Sequence, residues 1–129
     1  MLLTVRDETP AGRMLAEMEL ELPETVTLRE LISIRVREEV ARHNASGTTS
    51  FRGLIRPHRA AESRDGSYRV DPGRRIDWVE QADVAVEAFS KNGFFVLVGD
   101  RQVEDLDRPL ALSEASDVAF VRLVALVGG

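Results

Sequence analysis

The chain has 129 residues, enough for one domain around one hydrophobic core. Hydrophobic residues make up 43% and charged residues 30%, and no apolar run approaches the ~20 residues that cross a bilayer. The absence of cysteine excludes disulfides, thiolate metal sites and a cysteine nucleophile, and a net charge of −5 argues against general nucleic-acid binding.

The first element is a short apolar strand, "LLTVR", at residues 2–6. No basic region precedes it, so it does not read as a signal peptide, and a cytoplasmic protein is expected. Pro and Gly in "DETPAGR" (7–13) mark a turn. "MLAEMELEL" (14–22) then alternates. Met14, Ala16, Met18, Leu20 and Leu22 face one way and Glu17, Glu19 and Glu21 the other, the pattern of a half-buried strand ended by Pro23. These two strands form a hairpin.

Thr27 and Glu30 fit a capping box, in which the Thr oxygen accepts from a free backbone N–H and the Glu reaches back. The helix that follows carries Leu28, Leu31, Ile32, Arg35, Val36, Glu39 and Val40 at three- and four-residue spacing. This is one buried stripe with two charged residues in it. "HNASGTT" (43–49) ends the helix. His43 there suits the negative end of the helix dipole.

Residues 46–75 are rich in turn signals, with "FRGLI" and "YRV" as short strands or apolar tethers. Residues 51–75 hold seven Arg and three acids, although the whole chain is acidic. This reads as a solvated loop whose charge could steer association with a partner enzyme, or as a dock for an acidic partner. Its other reading is nucleic acid stacked on Phe51 and Tyr68. A second helix is predicted from about Arg75 to Lys91, with Val79, Ala82, Val86 and Phe89 as its stripe and Asn92-Gly93 as its stop. Trp78 is expected to cover the core beneath this segment.

"FFVLVG" (94–99) reads as an apolar strand buried on both faces. A turn-rich link follows, anchored by Val103, Leu110 and Leu112. "DVAFVRLVALVGG" is a last strand, central because it is so apolar, ending in Gly128 and Gly129. The order therefore predicts an α+β domain with a small mixed sheet and a helix packed across one face. No HExxH, GxSxG or GxxxxGK[ST] motif occurs. His43 and His58 lack metal-ligand spacing, and "VEDLD" (103–107) lacks the pattern of a calcium loop. No metal site and no cofactor is expected.

The element order and "LVGDRQVEDLDRPL" (97–110) resemble ubiquitin and other β-grasp proteins, in which a strand leads through a turn to a Gln, an apolar residue, an acidic pair and Arg-x-Leu. The corresponding residues are Gln102, Val103, Glu104, Asp105, Arg108 and Leu110. The likeness covers residues 1–45 and 94–129. It implies one ubiquitin-like β-grasp domain over 1–129, of a divergent bacterial type, with an insertion at about 46–93 and a tail at 125–129.

What the resemblance implies is a protein substrate and not an enzyme. A dedicated activating enzyme of the ubiquitin-activating type would adenylate the Gly129 carboxylate, and downstream conjugation proteins would join it to target proteins. Glycine at 128 and 129 suits a narrow channel because it lacks a Cβ. The alternatives are a sulfur carrier with a C-terminal thiocarboxylate and a non-conjugated β-grasp adaptor. Ubiquitin has arginines before its glycines, whereas Ala125, Leu126 and Val127 stand here and imply an apolar groove in the partner. Arg101 replaces ubiquitin's chain-forming lysine, and Lys91 is the only lysine, so lysine-linked chains are not expected. Leu97 and Leu123 correspond to an exposed apolar docking patch; their other reading is core. No nucleic acid and no membrane is expected as a partner.

Overall fold

A computed structural model describes residues 1–64 and 67–123. Strands β1 (Leu2–Glu8) and β2 (Met14–Glu21) form the hairpin, followed by β3 (Thr25–Thr27) and helix α1 (Leu28–Ser46). The middle of the chain contributes β4 (Ser50–Phe51), β5 (Ala61–Glu62), β6 (Tyr68–Arg69) and helix α2 (Trp78–Ser90). Strands β7 (Phe94–Val98), β8 (Arg101–Gln102), β9 (Pro109–Ala111) and β10 (Val118–Arg122) complete it. The main sheet has the order β2-β1-β10-β7-β8, with β1 and β10 parallel in its middle and antiparallel pairs elsewhere. The fold is α+β with a mixed sheet.

Local chemistry explains the ends of α1. Glu30 N donates to Thr27 Oγ1 at 3.1 Å, and Thr27 N donates to Glu30 Oε1 at 3.4 Å, so the capping box is formed. At the other end Gly47 takes φ 67°, a conformation that costs glycine little, and its N–H donates to His43 O. The predicted stripe from Leu28 to Val40 is buried at every position, including Arg35 and Glu39. It covers one sheet face, meeting Leu3, Val5, Leu20, Val96, Val118 and Phe120 in the core.

Four expectations change. The alternation in β2 holds, but only Leu20 is buried within the strand; Met14 is 55% exposed, because β2 is the sheet's edge and its start runs past α1. Strand β7 is not buried on both faces: Phe94 and Val96 are core, while Phe95 and Leu97 sit half-buried on the uncovered side. Helix α2 starts at Trp78, with Asp77 as N-cap accepting from Val79 N at 3.0 Å. Its buried face is Gln81, Ala82, Ala85 and Phe89, leaving Val79 exposed. Trp78 does not cover the core; it is 39% exposed, with the Arg37 guanidinium 5.2 Å from its ring centroid.

The middle segment is tied down rather than loose. Phe51, Leu54, Val70 and Ile76 are buried. Strands β4, β6 and β5 form a small antiparallel sheet in that order. Asn44 on α1 bonds both main-chain groups of Ile76, each at 3.0 Å, and Gln81 on α2 donates to Ile55 O at 2.8 Å. Phe51 is therefore unable to stack on a nucleic-acid base.

Candidate functional site

Among the described residues no helix packs over the face of the sheet away from α1, although Ala119 and Val121 on that face are buried. The register places Leu97 opposite Ala119 and Phe95 opposite Val121. Phe95, Leu97 and Val121 thus form an apolar strip across β7 and β10, with Val121 itself buried, and Leu123 follows directly after β10. Leu97 is half-buried and Leu123 is 47% exposed, so neither belongs to the core under the helix. Ala125, Leu126, Val127, Gly128 and Gly129 lie outside the described residues.

An ion pair borders the strip. Both terminal nitrogens of Arg6 donate to the Asp117 carboxylate, and Arg6 Nε donates to Glu8. The hydrogen bonds from Arg6 hold the Asp117 carboxyl below its ordinary value. Those same bonds, from Asp117 first and Glu8 second, hold Arg6 above its own.

A groove of about 580 Å³ lies between the end of α2, β7 and residues 102–107. Phe89, Phe95, Gln102, Glu104 and Leu106 help to line it. The link docks on the first turn of α1, where Arg29 N donates to Leu106 O and Arg29 Nε to Asp107, at 2.9 and 3.1 Å. Val103 and Leu110 are buried anchors, as expected, and Arg101 is exposed on β8. The "TVT" segment before α1 pairs with β9, a contact that three residues gave no periodicity to reveal.

On the helix side the sheet hides a charged cluster. Arg35 donates to both oxygens of Asp7 and, through Nε, to Glu39 Oε1 at 2.6 Å. Its guanidinium carbon sits 4.5 Å from the Phe120 ring centroid. All three charged side chains are buried, and Leu54 N adds a second donor to Glu39 Oε1 at 3.1 Å. Burial pushes the Glu39 carboxyl up, and the Arg35 charge and hydrogen bond only partly offset it. Burial alone would lower Arg35, but Glu39 and Asp7 outweigh it and keep the guanidinium fully charged.

Glu39 Oε2 and His43 Nδ1 are buried without a hydrogen-bond partner. His43 stands in the last turn of α1, as expected, and is buried there. Its ring packs edge-on against Phe51, centroids 5.3 Å apart. The sequence signal for this cluster was present in Arg35 and Glu39, four apart inside an apolar stripe. Asp7 was hidden because its neighbours read as a turn.

Among the described residues, no group of three or more His, Cys, Asp or Glu side chains could hold a metal ion. No described helix is long and apolar enough to cross a membrane. No protein-family model, curated protein or solved structure matches the chain.

Proposed function

We propose that this chain is a β-grasp, ubiquitin-like protein modifier of a divergent bacterial type, joined to targets through Gly129. One observation carries the reading. The strand nearest the tail, β10, lies parallel to β1 at the centre of the sheet, between the first hairpin and β7, with α1 across one face. That arrangement supports the reading drawn from the sequence resemblance.

The chemistry would run at the tail. The Gly129 carboxylate attacks the α-phosphorus of ATP, and pyrophosphate leaves. The acyl adenylate then transfers its acyl group to a thiol of a dedicated activating enzyme, releasing AMP, and finally to an amine of a target protein, releasing the thiol. The apolar strip through Leu97, together with Leu123, would dock the activating enzyme and its downstream partners beside the tail. Ala125, Leu126 and Val127 would thread an apolar groove, where side chains at 128 and 129 would obstruct the channel. A sulfur nucleophile in place of the thiol-to-amine relay would make the chain a sulfur carrier.

The test uses N-terminally tagged chain in its native host, with and without Gly128-Gly129. Intact mass first establishes whether Gly129 is the free end in the cell. High-mass bands on denaturing gels that vanish on truncation support the modifier. Oxygen replaced by sulfur on the unconjugated pool makes it a carrier. Identical, unmodified forms under growth and stress conditions overturn both and leave a binding module.

A further inference from the structure

We infer that the free edge of β2 is a docking site for an extended, basic segment of another protein, which would add a strand to the main sheet. This stands apart from the tail and from the apolar strip. The two ends of the sheet differ. At one end β8 has two residues, too short to template a neighbour. At the other, β2 has eight, about 27 Å of strand, with no proline and no lysine. Leu15 is 39% exposed beside Met14 at its start. No described element pairs with its outer side.

The direction of its main-chain groups follows from one pair. Leu22 N donates to Met1 O at 2.8 Å, and the Met1 amino group donates to Leu22 O at 3.0 Å. In an antiparallel ladder bonded and non-bonded pairs alternate. Leu20 and Met18, opposite Leu3 and Val5, therefore bond inward to β1. Glu17, Glu19 and Glu21 direct their N–H and C=O groups outward, to the open side.

The same three residues choose the partner. Their side chains are exposed on one sheet face, and among the described residues only Glu21 of the three has an ion-pair partner, the Met1 amino group at 2.6 Å. An added strand with Arg or Lys at alternate positions would set each cation beside a glutamate while its backbone completes the ladder. Its intervening residues would fall over the shallow groove between β2, α1 and residues 46–52, where Ala16 and Met18 offer apolar contact and Arg42, Thr48, Ser50 and Arg52 leave no need for a further cation. A second copy of this chain is a poor occupant, because pairing β2 with β2 places glutamate against glutamate.

The probe is a blocked octapeptide of alternating Arg and Val, titrated into the full chain while amide hydrogen exchange is followed by NMR. At saturation the Glu17, Glu19 and Glu21 amides should slow by about tenfold or more, while Met18 and Leu20 do not change. Alternating Glu and Val should not bind. The Arg–Val peptide N-methylated along its pairing edge should lose at least about tenfold in affinity, which removes charge alone as the cause. Glu19→Pro should fold, since that N–H bonds nothing in the chain, and should lose the protection.

Equal binding by the N-methylated peptide, binding without protection of those amides, or no binding overturns the inference. So does a free chain that sediments as a dimer with these amides already protected. If Glu19→Pro does not fold, because proline also fixes φ, the comparison of the Arg–Val peptide with its N-methylated form decides.

Discussion

Arg6 and Asp7 are neighbours on β1, and the strand turns them to opposite faces of one sheet. Each finds an opposite charge: Arg6 meets Asp117 in water, and Asp7 meets Arg35 in the core. The covalent chemistry of the two pairs is the same, a guanidinium and a carboxylate. Their surroundings make them different interactions. The outer pair is half in solvent, so water and salt screen it and its net worth is small. The inner pair has given up its hydration, and its worth lies mostly in the damage done when one partner goes. Two carboxylates share one buried guanidinium, which makes the cluster sensitive in a way that the surface pair is not.

Breaking the inner pair should have the largest effect. Arg35→Met strands Asp7 and Glu39 without a counter-charge, and chemical denaturation should show a loss of about 3–5 kcal/mol. Neutralising the cluster together, with Asp7→Leu, Arg35→Met and Glu39→Gln, should recover most of that loss. The glutamine keeps an acceptor for Leu54 N. A triple variant no more stable than Arg35→Met would mean that the charges hold the site together better than packing can.

Glu39→Gln alone should act chiefly on the pH dependence. Burial raises the folded carboxyl above its ordinary value, so the folded chain holds that proton after the unfolded chain has lost it. Stability then falls as pH rises from the ordinary glutamate range through the raised value. Denaturation across that window should show the slope in the parent and a flatter line in Glu39→Gln. Asp117 has the opposite sign. Its folded carboxyl is lowered, so its contribution is present above the ordinary range and fades as pH falls through the folded value. Asp117→Asn should cost about 0–1 kcal/mol, and the difference should shrink in high salt. A loss as large as that of Arg35→Met would erase the contrast between the faces.

The sequence carried the helix well and the edges poorly. Thr27 and Glu30 announce the start of α1 through local hydrogen bonds, and its stripe is legible because a helix repeats its burial every turn. Alternation in β2 shows which side chains share a face but not how far the covering helix reaches. Met14 was therefore placed inside when it lies outside. Val79 went wrong for a related reason: once Asp77 sets the start of α2, Gln81 and Ala85 turn inward and Val79 turns out. The two-sided burial expected of β7 failed because no helix covers the second face. Arg35 and Glu39 stood out in the stripe, yet their third partner lies 28 residues away from Arg35, and only the fold brings it near. Of the candidate site, Leu97 can be placed on the uncovered face and Leu123 is exposed just after β10, whereas Ala125 to Gly129 lie beyond the described residues.

The parallel pairing of β1 with β10 also has a consequence in time. The first hairpin is made by residue 21, but the strand that fills the centre of the sheet ends at residue 122. At about 5–20 residues per second, a ribosome needs several seconds or more to deliver it. During that interval one side of β1 has no neighbour, and Asp7 waits for a core that cannot close. Delivery of β10, rather than formation of the hairpin or of α1, would then set when this domain first becomes native, and until residue 122 has emerged the newborn chain would offer that open side to proteases and chaperones.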